Sequence, residues 1–139
     1  MIELLALWEE GWLEPRTEAF MWRQMCHAFK VDRCMAVPQR LPARTSVLQF
    51  DSAEEAIATS ECEMVYLMPE NTIRGVNLEQ FVHPKNACYV FGRAGDSNKR
   101  HVKDGEHVVT VYTPEAVDFF AMNVAAIVLY DRMKKERAA

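Results

Sequence analysis

Continuous apolar runs and helical stripes alternate along this chain. Residues 2–8 are a short apolar run, which predicts a buried strand, and Gly11 and Pro15 punctuate the stretch after it. From residue 15 to residue 30 the period lengthens. Ala19, Trp22, Cys26 and Phe29 fall on one helical stripe with Met25 beside it, while Arg16, Arg23, His27 and Lys30 fall on other faces. Pro15 suits an early helical position. Residues 31–37 predict a second strand, ended by Pro38, and residues 39–44 a loop carrying Arg40 and Arg44. A third strand is expected over 46–50. Asp51 or Ser52 then caps a short helix through Ala58, with Glu54 and Glu55 near its positive end. A fourth strand is expected over 63–68, stopped by Pro69, and a brief helix over 78–82. Fifth and sixth strands are expected over 87–91 and 108–112. A last helix runs to about Lys135, with Arg132, Lys134 and Lys135 favourably at its C-terminal end.

Strands alternating with helices predict an α/β fold whose sheet is mainly parallel, with helices on both faces. Ligands bind such sheets beyond the C-terminal ends of the strands. Pro38, Pro69, Gly92 and Pro114 all follow strand ends. The 139 residues predict a single domain over 1–139, with no repeat, low-complexity tract or linker.

Composition narrows the possibilities. Half the residues are hydrophobic, which argues against disorder, and 16 basic against 20 acidic residues give a net charge of −4. That balance argues against a general polyanion binder but leaves room for a local basic patch. One exists: Lys99, Arg100 and Lys103, with Arg93 before them. Cys26, Cys34, Cys62 and Cys88 show no CxxC spacing and read as small hydrophobes in a reducing compartment. His27, His83, His101 and His107 have no ligand spacing, so no metal is expected. The N-terminus carries Glu3, Glu9 and Glu10 and lacks the basic region of a signal peptide, and no apolar run reaches membrane-spanning length. A cytoplasmic protein without a membrane is the expectation.

Three positions carry candidate chemistry, each with a plain reading beside the functional one. The stretch from Gly92 to Gly95 lacks both the dinucleotide-binding spacing and the ending of a phosphate loop. It is either an ordinary strand-to-loop turn or a loop whose amides and carbonyls hold a small molecule. Arg23 is either part of a solvated face or a fork of donors for a phosphate or ribose. Asn123, a polar amide at the head of an apolar helix, either bonds a neighbouring loop or touches a ligand. Tyr112 and Tyr130 read as core or interface aromatics. The basic stretch is either solvated charge or, with Arg40 and Arg44, a contact for RNA backbone.

Taken in order, these pieces resemble the SpoU branch of the SPOUT RNA methyltransferases, and most of all its small single-domain members that methylate tRNA ribose. Pro15 to Arg23 is similar to that family's first motif, with the proline and arginine in place but Thr17 and Ala19 where the family has asparagine and glycine. Val90-Phe91-Gly92 resembles the second motif, with Ala94 in place of a glutamate. Thr113-Pro114 and Ala121-Met122-Asn123 resemble the third, with proline and asparagine nine residues apart and Ala121 in place of a serine. The likeness covers nearly the whole chain and is weak over 41–77.

The resemblance implies a deep C-terminal trefoil knot, a homodimer paired through the first and last helices, and S-adenosylmethionine as cofactor. Carried over residue by residue, it implies a pocket at Leu67, Met68, Gly92 and Thr113, closed by Ala121 and Met122. It implies Arg23 at the ribose 2′-hydroxyl, Asn123 placing the reacting groups, and RNA, expected to be tRNA, held by Arg40, Arg44, Lys99, Arg100 and Lys103. Trp22, Phe119, Phe120 and Tyr130 are the aromatics expected to exceed what one small sheet covers. Sequence alone allows a helix from Thr113. The family pattern instead places a loop over 114–119, with Asp118 as the helix cap. Two other functions stay open: a non-catalytic knotted binder of the cofactor or RNA, and a doubly wound nucleotide-binding domain without a knot.

Overall fold

In the computed structural model, which describes residues 1–7, 14–39, 47–70, 73–92, 98–115 and 121–139, seven strands form one sheet. They are β1 (Ile2–Leu7), β2 (Arg33–Val37), β3 (Leu48–Gln49), β4 (Glu63–Leu67), β5 (Val76–Asn77), β6 (Ala87–Phe91) and β7 (His107–Thr110). The order across the sheet is β3-β2-β1-β6-β4-β7-β5, and every pairing is parallel. Parallel strands buried on both faces read as unbroken apolar runs rather than alternating ones. Here β6 is buried at all five positions and β4 at four of five.

Successive residues still point to opposite faces. On one face Leu4, Ala36, Val65, Leu67, Tyr89 and Phe91 pack with two helices, α1 (Pro15–Ala28) and α3 (Ala121–Ala138), through Ala19, Trp22, Cys26, Ala125, Val128 and Leu129. On the other face Leu5, Met35, Tyr66, Met68, Cys88 and Val90 pack against α2 (Ala53–Ala58) through Ala56. The expected α/β architecture, with helices on both faces of a parallel sheet, is what the chain adopts.

Local chemistry sets the boundaries. Glu14 caps α1, its carboxylate accepting from the Thr17 N–H at 3.0 Å, and Pro15 follows where its missing N–H costs nothing. The helix ends at Ala28 rather than residue 30, because Lys30 turns the chain with φ of 55°. Strand β2 begins at Arg33, two residues later than expected. Asp32 is spent on β1, accepting from the Ile2 N–H at 2.8 Å and donating its own N–H to Ile2 O. Ser52 caps α2 by accepting from the Glu55 N–H.

Strands β3, β4 and β7 are shorter than expected. Strand β7 ends at Thr110, so Tyr112 lies beyond it, donating its hydroxyl to Gly75 O at 3.2 Å. Strand β5 has no counterpart among the expected elements. Gly75 precedes it for a steric reason: a Cβ there would stand 2.7 Å from the backbone oxygen of Val108. The expected helix over 78–82 is a single 3-10 turn, Leu78–Gln80. Pro114 and Glu115 form a bend, not helix, so no helix starts at Thr113, as the family pattern requires. Asp118 as the cap of α3 lies outside the described residues, as does Trp8.

The C-terminal half of α3 is fastened to the N-terminal end of the sheet by a buried polar network. Arg132 donates to the carbonyls of Pro84 (2.8 Å) and Lys85 (2.9 Å) and to the Tyr89 hydroxyl (2.9 Å). The Tyr89 hydroxyl is 2.7 Å from His83 Nδ1, and His83 Nε2 is 2.7 Å from the Asp131 carboxylate. A carboxylate only accepts, so a neutral His83 ring carries its proton on Nε2 and accepts from Tyr89 at Nδ1. Burial holds the His83 pKa below its ordinary value despite the facing Asp131, and burial pushes the Tyr89 hydroxyl up to about 12. A second polar cluster closes the same end under β1 and β2. Glu3, 1% exposed, pairs with Arg33 at 2.9 Å and accepts from the Ser60 hydroxyl. All four cysteines are free thiols, three of them buried.

Candidate ligand-binding site

The ends of β4, β6 and β7 lie side by side. Leu67 stands opposite Phe91 on one side and Val109 on the other, so Met68, Gly92 and the segment after Thr110 leave the sheet together. Of the residues expected to hold the cofactor, Leu67 ends β4, Met68 follows it, Gly92 follows β6 and Thr113 lies beyond β7. Leu67 and Met68 are buried, Gly92 and Thr113 half-buried. Met68 N–H donates to Val109 O at 3.0 Å, which holds β4 and β7 together one residue beyond Leu67. Ala121 and Met122, at the start of α3, are half-buried and pack against the core cluster on that helix's face of the sheet.

Arg23 and Asn123 are both exposed, and both sit in the helical layer formed by α1 and α3. Neither side chain makes a hydrogen bond or ion pair with another described residue. Arg23 follows Trp22, whose ring packs 6.1 Å from that of Phe91, the last residue of β6. Trp22 itself is 2% exposed and belongs to the core, which corrects its assignment to a surplus apolar surface. The exposed apolar side chains of these helices are Phe20 and Met21 on α1 and Ile127 and Tyr130 on α3. Phe119 and Phe120 lie outside the described residues.

The basic stretch does not join Arg23 and Asn123. It forms a 3-10 turn, Lys99–His101, on the opposite face of the sheet, beside α2. The hydroxyl of Tyr66, a residue of the α2-side core, donates to His101 O at 3.2 Å. His101 Nδ1 lies 3.7 Å from Glu54 of α2, and burial lowers the pKa of this ring. His101 thereby ties the turn to the α2 face, while Lys99 and Arg100 before it are exposed and make no ion pair among the described residues. Lys103 is exposed at a tight turn in which Gly105 has φ of 84°. Arg40 and Arg44 lie outside the described residues.

Asn98, which no sequence pattern singles out, occupies the seam between β4 and β6. Its side-chain nitrogen donates to Leu67 O at 3.2 Å and Val90 O at 3.1 Å, and the residue is 2% exposed. No periodicity marks it. The one available signal is a short amide soon after a glycine turn. Among the described residues, no cluster of histidine, cysteine, aspartate or glutamate could hold a metal, and no helix is long and apolar enough to cross a membrane.

This arrangement of strands and helices is that of the SpoU-type RNA methyltransferases. A protein from Bacillus anthracis described as a candidate RNA methyltransferase superposes with a TM-score of 0.71 at 16% identity, over 99% of this chain and 95% of that one. The SpoU methyltransferase AviRb from Streptomyces viridochromogenes, solved with AdoMet, matches with a TM-score of 0.70 at 14% identity, over 100% of this chain but 58% of its own length. A protein studied for 2-OH methylation of C/U34 on tRNA matches with a TM-score of 0.71 at 12% identity, over 98% and 91%. No protein-family model and no curated protein matches the sequence.

Proposed function

We propose that the chain is an S-adenosylmethionine-dependent RNA methyltransferase acting on a ribose 2′-hydroxyl, with tRNA as its substrate class. The observation that carries this is the fold itself. The whole chain overlays on SpoU methyltransferases, one of them solved with AdoMet. In this chain the ends of β4, β6 and β7 lie together where such a ligand would sit. The residues present suit that ligand. Leu67 and Met68 offer a buried apolar floor, Gly92 has no Cβ to obstruct close approach, and the buried Asn98 carbonyl oxygen has no hydrogen-bond partner among the described residues. The reading includes closure of the pocket by Thr113, Ala121 and Met122, and a trefoil knot formed by the segments around it.

Bound there, the cofactor supplies the methyl group. Arg23, unpaired and exposed, presents its guanidinium to the target nucleotide, lowering the cost of charge on the 2′-oxygen as its proton leaves. Asn123 orients the reacting groups. Lys99, Arg100 and Lys103, with Arg40 and Arg44, hold phosphates. In one chain Lys99 and Arg100 lie across the sheet from Arg23, so the reading adds a second copy of the chain. The exposed Phe20, Met21, Ile127 and Tyr130 of α1 and α3 are the surface for that pairing. The protein works in the cytoplasm, where tRNA is found.

A non-catalytic cofactor or RNA binder is the second reading, and one observation favours it. The hydroxyl of Thr17, which stands where the family has asparagine, is spent on the Glu14 cap at 3.3 Å. Labelled methyl transfer to tRNA separates the two. Wild type should transfer, Arg23→Ala should lose about 10²–10⁴-fold in rate while still binding cofactor, and Lys99→Ala should weaken RNA binding and flatten its salt dependence. Equal rates for wild type and Arg23→Ala would remove Arg23 from the mechanism. No transfer by wild type despite cofactor binding would establish the binder. A solution mass of 16.0 kDa, that of one chain, would exclude the dimer.

A further inference from the structure

Two of the four thiols meet where α1 packs on the sheet. Cys26 lies in the last turn of α1, on the stripe with Ala19 and Trp22, and Cys34 is the second residue of β2. Both belong to the same core cluster, and the Cys34 thiol is in hydrogen-bond contact with the Cys26 sulfur. The short segment between them fixes this approach. Phe29 N–H donates to Met25 O at 3.1 Å, Lys30 turns the chain with φ of 55°, Val31 N–H donates to Cys26 O at 2.8 Å, and Asp32 N–H donates to Ile2 O at 2.8 Å. Helix end, turn and strand start are each held by a backbone bond, so the two side chains are brought together by the backbone.

Chemistry separates this pair from the other two cysteines. The thiolate is the reactive form of cysteine. The hydrogen bond from Cys34 lowers the pKa of Cys26, and the same bond, together with burial, raises that of Cys34. Burial and the neighbouring Glu3 carboxylate raise the pKa of Cys62, and burial pushes Cys88 up to about 12. Access divides them too. Cys88 is sealed at 0% exposure, while Cys26 and Cys34 keep 8% and 9%, a rim that a molecule little larger than water can reach. A favoured thiolate beside a second thiol is the arrangement that oxidation closes.

We propose that Cys26 and Cys34 form a modification site for hydrogen peroxide, which joins them in a disulfide between α1 and β2. The Cys26 thiolate attacks one peroxide oxygen, the O–O bond breaks, and the departing hydroxide takes up a proton as water. This leaves Cys26 as the sulfenic acid. The Cys34 sulfur then attacks the Cys26 sulfur, the S–O bond breaks, and the hydroxide leaves with the Cys34 proton as a second water. Two thiols are oxidised and one peroxide is reduced. Thiol exchange reopens the bond, so it suits a compartment whose resting state is reduced. The helix tied down is the one that carries Arg23, one turn before Cys26.

Peptide mapping of the whole folded chain tests this. Trypsin cuts after Arg23, Lys30, Arg33 and Arg40, which puts the two cysteines on separate peptides, 24–30 and 34–40. After peroxide treatment and blocking of the remaining thiols, these peptides should appear as one species, two hydrogens lighter than their sum, that reduction separates. It should exceed every other cysteine pairing by about tenfold. Cys34→Ser keeps a donor beside the Cys26 sulfur but cannot close the bond, so dimedone should trap Cys26 there as the sulfenic acid. Cys26→Ser should leave Cys34 a free thiol. Separate peptides from folded wild type, at a peroxide dose that oxidises the cysteines of the urea-unfolded chain, overturn the proposal. A disulfide from Cys26 to Cys62 or Cys88 overturns it as well. Both of these arms use wild type, so neither depends on a variant that folds.

Discussion

The two ends of the sheet are built on opposite terms. At the N-terminal end every conspicuous polar side chain has a partner: Glu3 with Arg33 and Ser60, Arg132 with Tyr89, Glu136 and two carbonyls, His83 with Tyr89 and Asp131. Toward the C-terminal end and the helical layer beside it, Arg23 and Asn123 are exposed and, among the described residues, have no partner, and the buried Asn98 oxygen has none either. Partnered polar groups hold a structure in one arrangement; unpartnered ones are available to something else. The division puts the fastening polar contacts at one end and the unpartnered polar groups at the other.

Substitutions at the two ends should therefore differ in kind. The largest loss of stability is expected for Arg132→Ala, which takes one of two partners from the buried Tyr89 hydroxyl and leaves the carbonyls of Pro84 and Lys85 without their donor. A cost of about 3 kcal/mol is expected in urea unfolding. A cost under about 1 kcal/mol would show that the network is not what fastens α3. Glu3→Ala should come next, at roughly 2 kcal/mol, because it leaves Arg33 without its carboxylate while Arg33 remains partly solvated.

Acid should act at the fastened end as well. The His83 pKa is lowered in the fold, so the unfolded chain binds a proton first as pH falls. The stability contributed by neutral His83 is complete above the ordinary histidine value near 6.5 and is lost as pH falls from there through the lowered value. Unfolding midpoints measured between pH 8 and pH 5 should decline, and His83→Gln should make the decline shallower. His101, lowered in the same direction by its own burial, supplies the remaining slope in that variant. A slope unchanged by His83→Gln would place the titration elsewhere. The smallest effects on stability belong to Arg23→Ala and Asn123→Ala, each within about 0.5 kcal/mol of wild type. A loss above 1 kcal/mol from either would break the contrast, because it would mean that those side chains support the fold.

Much of this is legible in the sequence. Strand β6 is legible to the residue, since a fully buried parallel strand is an unbroken apolar run between polar segments. The helical stripe through Ala19, Trp22 and Cys26 is likewise the one that meets the sheet. Strand β5 escapes because two residues have no period; its identity lies in Gly75 and in the side of β7 it meets. The network around His83 escapes because Tyr89 is 6 residues away and Asp131 is 48. Spacing along the chain says nothing about such a meeting. The ends of the strands point to the site, but the face on which Lys99 and Arg100 emerge is set by the crossover between β6 and β7, which no local pattern encodes.

The strand order has a consequence in time as well as in space. The sheet seats β6 between β1 and β4, and pairs both of them through residues 87–91. A chain emerging from the ribosome makes β1 first and β4 some sixty residues later, and in the finished sheet these two never touch. Until Phe91 has been added, the centre of the molecule is two unmatched edges waiting for a strand that does not yet exist. Closing so many distant pairings late is slow relative to local structure. During synthesis the first half of this chain holds its apolar edges open, the state in which a nascent protein most depends on not meeting another copy of itself.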